Sequence, residues 1–392
     1  MKQKGMTLVE LMVAVTIGLG TTLAISSVLI ASENHKRTTT STNDAQQTGS
    51  YGYYALDKAL RGAGSAIVGS AFPTDVGVLG CHLNAGAIFP RVNPFPQPFA
   101  AFLAGVTNTL NVAPVLIGKN QSQDGVSDVI MVMSGSGSAG GVSRQITGGG
   151  NATSATLDNA VGFANADLLL VSQSGVADCL MEQVDTVAAP TLNLAGIYYT
   201  ASSGTTSMAA LAGNTSSYIT PLGNVAANNV QFTLYGVDNN HTLFSYDLLQ
   251  NLTLVGGAPN DLSQAIADGV VQMNAIYGID TDGDGKWDTW AGPGEVGAWD
   301  INTVMASPTK MKQIVSLRIA LVVRGEYYDT KRDNLGNPIP VSPPQLTIFN
   351  GLADGATSLQ QTINLNATDQ QFRYRVFEFT VPLRNMLLLA GA

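Results

Sequence analysis

Carboxylates at alternate positions mark one short stretch of this 392-residue chain. Residues 280–288 read Asp-Thr-Asp-Gly-Asp-Gly-Lys-Trp-Asp and follow an apolar run typical of a β-strand. This spacing lets a tight loop turn several hard oxygen atoms toward one cation, and a glycine at the sixth position permits the turn. Closely spaced carboxylates also repel one another unless a cation lies between them. The stretch therefore predicts a calcium loop. Its expected ligands are the side chains of Asp280, Asp282, Asp284 and Asp288 and the backbone carbonyl of Lys286.

The loop departs from an EF-hand at its end. The twelfth position holds Ala291 in place of the bidentate glutamate, and a strand-like run precedes the loop where an EF-hand has a helix. Glu295 or Asp300 would then complete the ligand shell. We expect a weak affinity of roughly 10⁻⁴–10⁻³ M, the range of extracellular calcium modules. The competing interpretation is an acidic, solvated turn that binds no metal.

Few other residues offer catalytic chemistry. The glycine pattern at residues 135–140 matches a dinucleotide-binding fingerprint, but neither a helix nor a suitably placed acid follows it, so we predict a flexible loop. His35, His82 and His241 have no obvious catalytic neighbours. The chain also lacks a Gly-Lys-Ser/Thr phosphate loop and a Gly-x-Ser-x-Gly elbow. We therefore expect no enzymatic activity and no small-molecule substrate.

The composition narrows the class of protein further. The net charge of −9 argues against the basic stripe of a nucleic-acid-binding protein. Apolar residues reach 45%, which argues against disorder, and charged residues are only 12%. The polar remainder is rich in Ser, Thr, Asn and Gln, and 42 residues are glycine. This composition suits a loop-rich β-structure outside the cytoplasm.

The N-terminus combines a basic pentapeptide with a long apolar segment. From Met6 to Ala31 the residues are apolar or small, with one acid at Glu10. About 20 apolar residues span a bilayer as a helix, whereas a signal peptide has an apolar core of only ~7–15 residues. A carboxylate inside a membrane helix costs roughly 2.5–3.5 kcal/mol and usually has a partner. A plain membrane anchor therefore does not explain Glu10.

The stretch Lys4-Gly5-Met6-Thr7-Leu8-Val9-Glu10 resembles the type IV prepilin signature. The resemblance implies that prepilin peptidase removes residues 1–5 by cutting between Gly5 and Met6, and that the new N-terminus at Met6 is methylated. In a filament the apolar helices pack together without lipid, so a buried carboxylate needs a cation. We expect Glu10 to pair with the N-terminal ammonium of a neighbouring subunit and so to set the axial register.

The remaining pattern predicts an α+β fold. One helix is expected from Met6 to about residue 61, with a transmembrane half at 6–31 and an amphipathic half at 32–62 that packs on a head domain. Gly49 and Gly52 weaken its middle, and glycines after residue 61 end it. Short strand-like runs separated by Gly/Ser/Thr/Asn-rich connections predict large antiparallel sheets in the head, residues 63–392. Two lobes divided near residue 225 are a candidate arrangement.

Three head segments and the end of the helix resemble the PilW group of minor pilins. The segments are residues 270–285, 315–324 and 372–385, whereas residues 65–225 match only loosely. The resemblance implies a minor pilin at or near the tip of a Gram-negative type IV pilus, with roles in cell adhesion and twitching motility. Its implied partners are other minor pilins, the major pilin, prepilin peptidase and a PilY-type tip adhesin. The protein would sit in the inner membrane with a periplasmic head and become extracellular on assembly.

An exported chain favours a disulfide between Cys81 and Cys179 over a thiol catalyst at Cys81 beside His82. Two alternative functions stay open at this stage. A minor pseudopilin of a type II secretion system shares the N-terminal signature and a β-rich head. A calcium-dependent adhesin or enzyme could also use the same export route.

Overall fold

The structure is a computed structural model that describes residues 7–68, 78–84, 95–103, 109–136, 142–224, 226–249, 254–255, 258–259, 263–294, 298–329 and 332–388. The expected cleavage site at Gly5 and Met6 lies outside these residues. So do Glu295 and part of the glycine pattern at residues 135–140.

A single helix, α1 (Leu8–Gly62), forms the N-terminal part of the molecule. Thr7 caps its start, because the Thr7 side chain accepts a hydrogen bond from the Glu10 amide and the Glu10 side chain accepts one from the Thr7 amide. The helix ends where the Ala63 amide donates to the Leu60 carbonyl and Gly64 adopts a φ of +75°. The prediction of one long N-terminal helix is confirmed.

Most of the head is antiparallel β-structure. Its first strands are β1 (His82–Asn84), β2 (Thr109–Asn111), β3 (Val115–Gly118), β4 (Val129–Gly135), β5 (Arg144–Gln145), β6 (Ser154–Thr156), β7 (Asp167–Gln173), β8 (Leu180–Ala188) and β9 (Thr191–Leu194). Next come β10 (Ser202–Ser203), β11 (Thr206–Ser207), β12 (Ser217–Asn224), β13 (Val230–Val237), β14 (Thr242–Asp247), β15 (Leu254–Val255), β16 (Ala258–Pro259) and β17 (Gln264–Asp268). The last are β18 (Val270–Ile279), β19 (Thr289–Ala291), β20 (Ile314–Arg324), β21 (Gln345–Ile348), β22 (Ala353–Asp354), β23 (Thr357–Ser358), β24 (Gln361–Asn364) and β25 (Tyr374–Pro382). Short helices are α2 (Met208–Ala212), α3 (Ile301–Met305) and α4 (Pro308–Gln313), with 3₁₀ turns at Asp369–Gln371 and Met386–Leu388.

Three larger sheets organise these strands. A six-stranded sheet has the order β5-β12-β7-β8-β9-β6, a five-stranded sheet the order β17-β14-β13-β4-β3, and a four-stranded sheet the order β19-β18-β20-β25. All strand pairings within the three sheets are antiparallel. The predicted α+β class, a long helix on an antiparallel β head, is therefore confirmed. Because β4 and β13 are neighbours in one sheet, the six-stranded sheet is built entirely from the chain between them.

The principal hydrophobic core lies between the second half of α1 and the four- and five-stranded sheets. Leu56 and Leu60 of α1 are fully buried in one cluster with Ile117 of β3, Phe232 of β13 and Leu321 of β20. Burial of such large apolar side chains stabilises the fold by about 1.5–3 kcal/mol each. This burial fixes the helix on the head, as the amphipathic pattern predicts.

Gly49 and Gly52 have a packing role that the sequence pattern does not reveal. A Cβ atom at Gly49 would overlap the Phe377 ring on β25, and one at Gly52 would lie 3.3 Å from Leu321 Cδ1. The missing side chains therefore let the four-stranded sheet approach the helix closely. The helix accepts two residues of low intrinsic propensity at the point where they improve its contact with the head.

Candidate functional sites: the assembly helix and the aspartate loop

The first half of α1 is exposed over residues 8–31. It contains an 18-residue window with a mean hydropathy of 2.0, long enough and apolar enough to cross a membrane. Its threonine hydroxyl groups bond within the helix: Thr16 Oγ1 donates to the Val13 carbonyl and Thr21 Oγ1 to the Gly18 carbonyl, both at 2.9 Å. A helix that is apolar all round requires apolar surroundings, so this half must pack in lipid or against other helices.

Glu10 stands at the beginning of that exposed half. Its Oε2 accepts hydrogen bonds from the Thr7 amide and the Thr7 hydroxyl, both at 3.0 Å. The sequence-based prediction gave Glu10 an intermolecular partner only, although Thr7-Leu8-Val9-Glu10 already has the spacing of a capping box. Both bonds fall on Oε2, which leaves Oε1 for a cation from another molecule.

The aspartate loop connects β18 to β19, which pair through Ile279 and Thr289. Asp280 is buried, and its two carboxylate oxygens accept hydrogen bonds from the Gly283 amide at 2.6 Å and the Gly285 amide at 2.8 Å. Both glycines have a positive φ near +80°, the left-handed conformation that the tight turn requires. The loop is therefore folded around the carboxylate of its first residue.

Carboxylate oxygens of Asp280, Asp282 and Asp288 lie within 4.8 Å of one another. Two oxygen ligands of one calcium ion are at most about 5 Å apart, because each Ca–O distance is 2.3–2.6 Å. The three carboxylates therefore fit a hard divalent cation in charge, donor type and spacing. Asp288 Oδ2 also accepts hydrogen bonds from the Thr281 hydroxyl at 2.5 Å and the Thr281 amide at 2.7 Å, and these two bonds lower the pKa of Asp288.

The structure does not bring the carboxylates of Asp284 and Asp300 into this group. Asp284 Oδ2 instead accepts a hydrogen bond from Lys286 Nζ at 2.9 Å, and the contact holds the pKa of Asp284 below its ordinary value. Asp300 caps α3, where it accepts hydrogen bonds from the Asn302 and Thr303 amides at 3.0 and 3.1 Å. Both carboxylates therefore already have partners away from the three-carboxylate group.

Comparison with known proteins gives two matches. Residues 234–385 match the family described as Type IV Pilus-assembly protein W, PilW, and residues 1–19 match the Prokaryotic N-terminal methylation motif. Together the two matches support a type IV pilin-like PilW protein. The PilW match begins in β13 and takes in the four-stranded sheet and the aspartate loop, whereas the six-stranded sheet precedes it. No curated protein and no solved structure matches the chain.

One match covers the start of the helix and the other covers part of the head, and both point to the same function. They support a minor pilin that takes part in type IV pilus assembly, and the exposed apolar helix fits membrane anchoring and pilus assembly. The PilW match favours a pilus over the secretion-system alternative that the N-terminal motif alone leaves open.

A disulfide joins Cys81 and Cys179, with the two Cα atoms 5.7 Å apart, as predicted. The neighbouring backbone is paired too, since the His82 amide donates to the Ala177 carbonyl at 2.9 Å and the Cys179 amide to the His82 carbonyl at 3.0 Å. The bond therefore ties β1 to the start of β8 in the six-stranded sheet. His82 Nδ1 lies 3.5 Å from a carboxylate oxygen of Asp178. Cys81 and His82 therefore connect two parts of the head and do not form a thiol catalyst.

Two buried acids, Asp128 and Glu182, were not predicted from the sequence. Asp128 accepts hydrogen bonds from the Asn120 amide at 3.0 Å and the Ala275 amide at 2.9 Å, and burial raises its pKa to about 7. Glu182 on β8 is fully buried, accepts one bond from the Thr200 amide at 3.3 Å, and has its pKa raised by burial to about 9. Glu182 pairs across the strands with Leu169, a core residue, and this placement becomes visible only once the register is known.

Proposed function

We propose that this minor pilin waits in the inner membrane with its head in the periplasm and then enters the filament through α1. In this proposal prepilin peptidase removes residues 1–5 and methylates Met6. Glu10 then pairs with the terminal ammonium of a neighbouring subunit. The observation that carries the proposal is the division of α1, whose residues 8–31 are exposed and apolar while Leu56 and Leu60 are buried in the head.

We further propose a place at or near the pilus tip, beside other minor pilins, the major pilin and a PilY-type adhesin. A subunit at the end of a filament has neighbours on one side only, so a large head meets few steric limits there. The head of this chain, residues 63–392, includes a whole six-stranded sheet inserted between two paired strands. The proposal divides the chain into the leader, the filament helix (6–31), its amphipathic continuation (32–62) and this head.

Gold labelling of the head on sheared pili tests the location. We expect label at filament ends, and recovery of the other minor pilins and the adhesin with this chain. Label spread along the shaft would contradict the tip location while leaving pilus assembly intact. Mass spectrometry of the N-terminal peptide tests processing, because the proposal requires a methylated Met6, and a chain that still begins at Met1 in cells with active peptidase would contradict it.

The proposal assigns this chain a role in assembly and no catalytic role. Cys81, the candidate thiol, is in a disulfide, and its neighbour His82 contacts Asp178. A screen of the purified protein for hydrolytic activity tests this part. Turnover of any substrate by the purified chain would contradict it.

We also propose that the aspartate loop binds calcium through Asp280, Asp282 and Asp288. The ion would offset the repulsion among these carboxylates and would fix the connection between β18 and β19 in the four-stranded sheet that packs on α1. Binding only to the folded state stabilises it by about 2.7 kcal/mol at a hundredfold excess over the dissociation constant.

Thermal melts with calcium, with magnesium and with a chelator test the metal site. We expect calcium to raise the melting temperature of the native chain and to leave an Asp282→Asn/Asp288→Asn variant unchanged. Asp185→Asn, which removes an exposed acid on β8, is the matched control and should keep the calcium response. Identical melts of the native chain in all three conditions would mean that the loop is an acidic turn.

A further inference from the structure

The end of the head that faces the membrane helix can be identified from the course of β20. Near the start of β20, Ser316 pairs with Pro382 at the end of β25. Three residues after β25, Asn385 Nδ2 donates to the Ala63 carbonyl at 2.9 Å, at the end of α1. At its other end the chain reaches Gly325, which lies directly against Ser41 of α1. β20 therefore runs antiparallel to α1, and the chain leaves it at the end of the head nearest the apolar half.

The segment that follows, residues 327–329 and 332–343, is here called the basal loop. Arg373 Nη2 contacts Thr38 Oγ1 at 3.4 Å and Asp329 Oδ2 at 3.5 Å, so the loop begins at the level of Thr38. Thr38 lies seven residues after Ala31, about 10 Å along a helix axis at 1.5 Å per residue. The headgroup layer of a bilayer is roughly 5–8 Å thick on each side of its hydrocarbon core. The basal loop therefore starts close to the lipid headgroups whenever residues 6–31 span the bilayer.

Both arms of the basal loop are fixed to the head. The Asp329 amide donates to the Gln371 carbonyl and the Val341 amide to the Gln370 carbonyl, each at 2.9 Å. The loop therefore leaves and rejoins the head at adjacent residues, Gln370 and Gln371.

The turn between the arms is equally well held. Asp333 Oδ1 accepts hydrogen bonds from the Leu335 and Asn337 amides, both at 2.8 Å, and Arg332 Nη1 donates to the Gly336 carbonyl at 2.6 Å. This ordered turn presents Leu335, whose side chain is 87% exposed.

The same loop exposes further apolar and aromatic side chains. Tyr327, Tyr328 and Ile339 are 45%, 42% and 41% exposed. Both tyrosines and Arg37 of α1 line one small surface crevice. Tyrosine is enriched where protein meets the membrane–water interface, and arginine reaches from there to the headgroups.

The charges near the basal loop largely cancel. Arg37 pairs with Glu33 at 3.2 Å, and Arg373 pairs with Asp329 at 3.5 Å. An apolar tip with balanced charges fits insertion into the interface of a zwitterionic bilayer better than attraction to an anionic surface.

We infer that the basal loop docks on the bilayer that anchors α1, with Leu335 inserted into the lipid interface. The inference rests on the proposed membrane-anchored state. Two contacts with the membrane, the helix and the loop, fix the tilt of the head before assembly, and extraction of the pilin into a filament breaks the second contact.

Site-directed fluorescence of the full chain in phosphatidylcholine vesicles tests the inference. Both native cysteines are in the disulfide, so an introduced cysteine is the single free thiol for a polarity-sensitive dye. We expect dye at Leu335→Cys to be blue-shifted, and to lose most of its emission to lipids that carry a nitroxide near the headgroup. Dye at Val161→Cys, an exposed site in the six-stranded lobe, is the matched control and should show neither change. High salt should leave the result unchanged.

A label at Ile25→Cys, inside the apolar half of α1, separates failure of the inference from failure of the anchor. Quenching at Ile25 without quenching at Leu335 would overturn membrane docking and leave the anchor intact, whereas no quenching at either site would contradict the anchored state itself. A Leu335→Asp change should bring the quenching of dye at Ile339→Cys down to the Val161 level. Protection of Leu335 only in assembled pili would show that a neighbouring pilin is the occupant, which also overturns the inference.

Discussion

At the scale of single residues, Glu10 has two possible partners that a substitution series can separate. Its Oε2 is engaged by Thr7 in the capping box, and the proposed partner of Oε1 is the ammonium of another subunit. Glu10→Ala removes both interactions, whereas Thr7→Ala removes only the cap, worth about 1 kcal/mol.

We expect Glu10→Ala to insert into the membrane at least as well as the native chain but to be largely absent from sheared pili. Thr7→Ala should be incorporated nearly normally, because the carboxylate is retained. Immunoblots of the membrane fraction and of sheared pili measure both outcomes. Equal loss of incorporation in the two variants would show that Glu10 acts only as a capping residue.

The buried Glu182 gives a pH prediction. Burial raises its pKa from the ordinary 4.5 to about 9, so the folded state holds the proton more tightly than the unfolded state does. Its contribution to stability is complete below pH 4.5 and is lost as the pH rises through 9, at about 1.4 kcal/mol per pH unit inside that interval.

Glu182→Gln keeps the shape of the neutral acid and cannot ionise. We expect its free energy of unfolding to decline less than that of the native chain between pH 5 and pH 9, as measured by denaturant titration. Asp185→Asn, on the exposed part of the same strand, should keep the native slope. A native-like slope in Glu182→Gln would mean that this carboxyl is not the titrating group.

At the scale of elements, the contact between α1 and the four-stranded sheet depends on a missing side chain. An alanine raises intrinsic helix propensity by about 1 kcal/mol over glycine, yet a Cβ at Gly49 overlaps the Phe377 ring. Overpacking costs typically 1–3 kcal/mol, so the overlap should exceed the gain.

We expect Gly49→Ala to lower the melting temperature of the head, and Phe377→Leu in the same chain to restore part of the loss. Gly18→Ala, where nothing lies within 4 Å, is the control and should leave the head unchanged. Differential scanning fluorimetry measures all three variants. A stabilised Gly49→Ala variant would show that the ring moves aside without cost and that propensity decides.

The elements show how far the sequence could predict the fold. The apolar strands β13, β18 and β20 coincide with long β-rich runs of the sequence, so each is among the strands that the sequence pattern predicts. β12 has no such signal, because Pro221 and Gly223 interrupt it and the structure accommodates them at a bulge.

The sequence pattern does not predict β8 either, and it does not predict the short helices. Its buried start contains Glu182 and its second half is solvent-exposed, so neither period-2 alternation nor a continuous apolar run identifies it. The helices α2 and α3 have five residues each, too few to show a 3.6-residue period. At the aspartate loop the spacing identifies the carboxylates, but the contact of Asp284 with Lys286 depends on side-chain conformation.

At the scale of the whole molecule, the six-stranded sheet shares a core with the rest of the head. Its strands alternate, so Leu168 and Leu170 of β7 face the principal core together with Met181 of β8, while Leu169 and Val171 face a second core with α2. The sheet therefore cannot unfold alone without exposing apolar surface of the principal core.

We expect the head to unfold in a single cooperative transition, although its described residues form three hydrophobic clusters. The disulfide closes a separation of 98 residues, and its loss should cost about 4–5 kcal/mol in the chain-entropy model. At roughly 2 cal/mol/K per residue over a head of about 330 residues, that cost lowers the melting temperature by about 5–8 °C.

The variant Cys81→Ser/Cys179→Ser should therefore melt earlier but still in one step, because the shared core couples the sheets without the covalent bond. Scanning calorimetry, with tryptophan fluorescence from the four-stranded-sheet region as a second probe, measures this. Two separate transitions in the variant would show that the disulfide provides the coupling between the sheets, and two in the native chain would show that the six-stranded sheet is an independent domain.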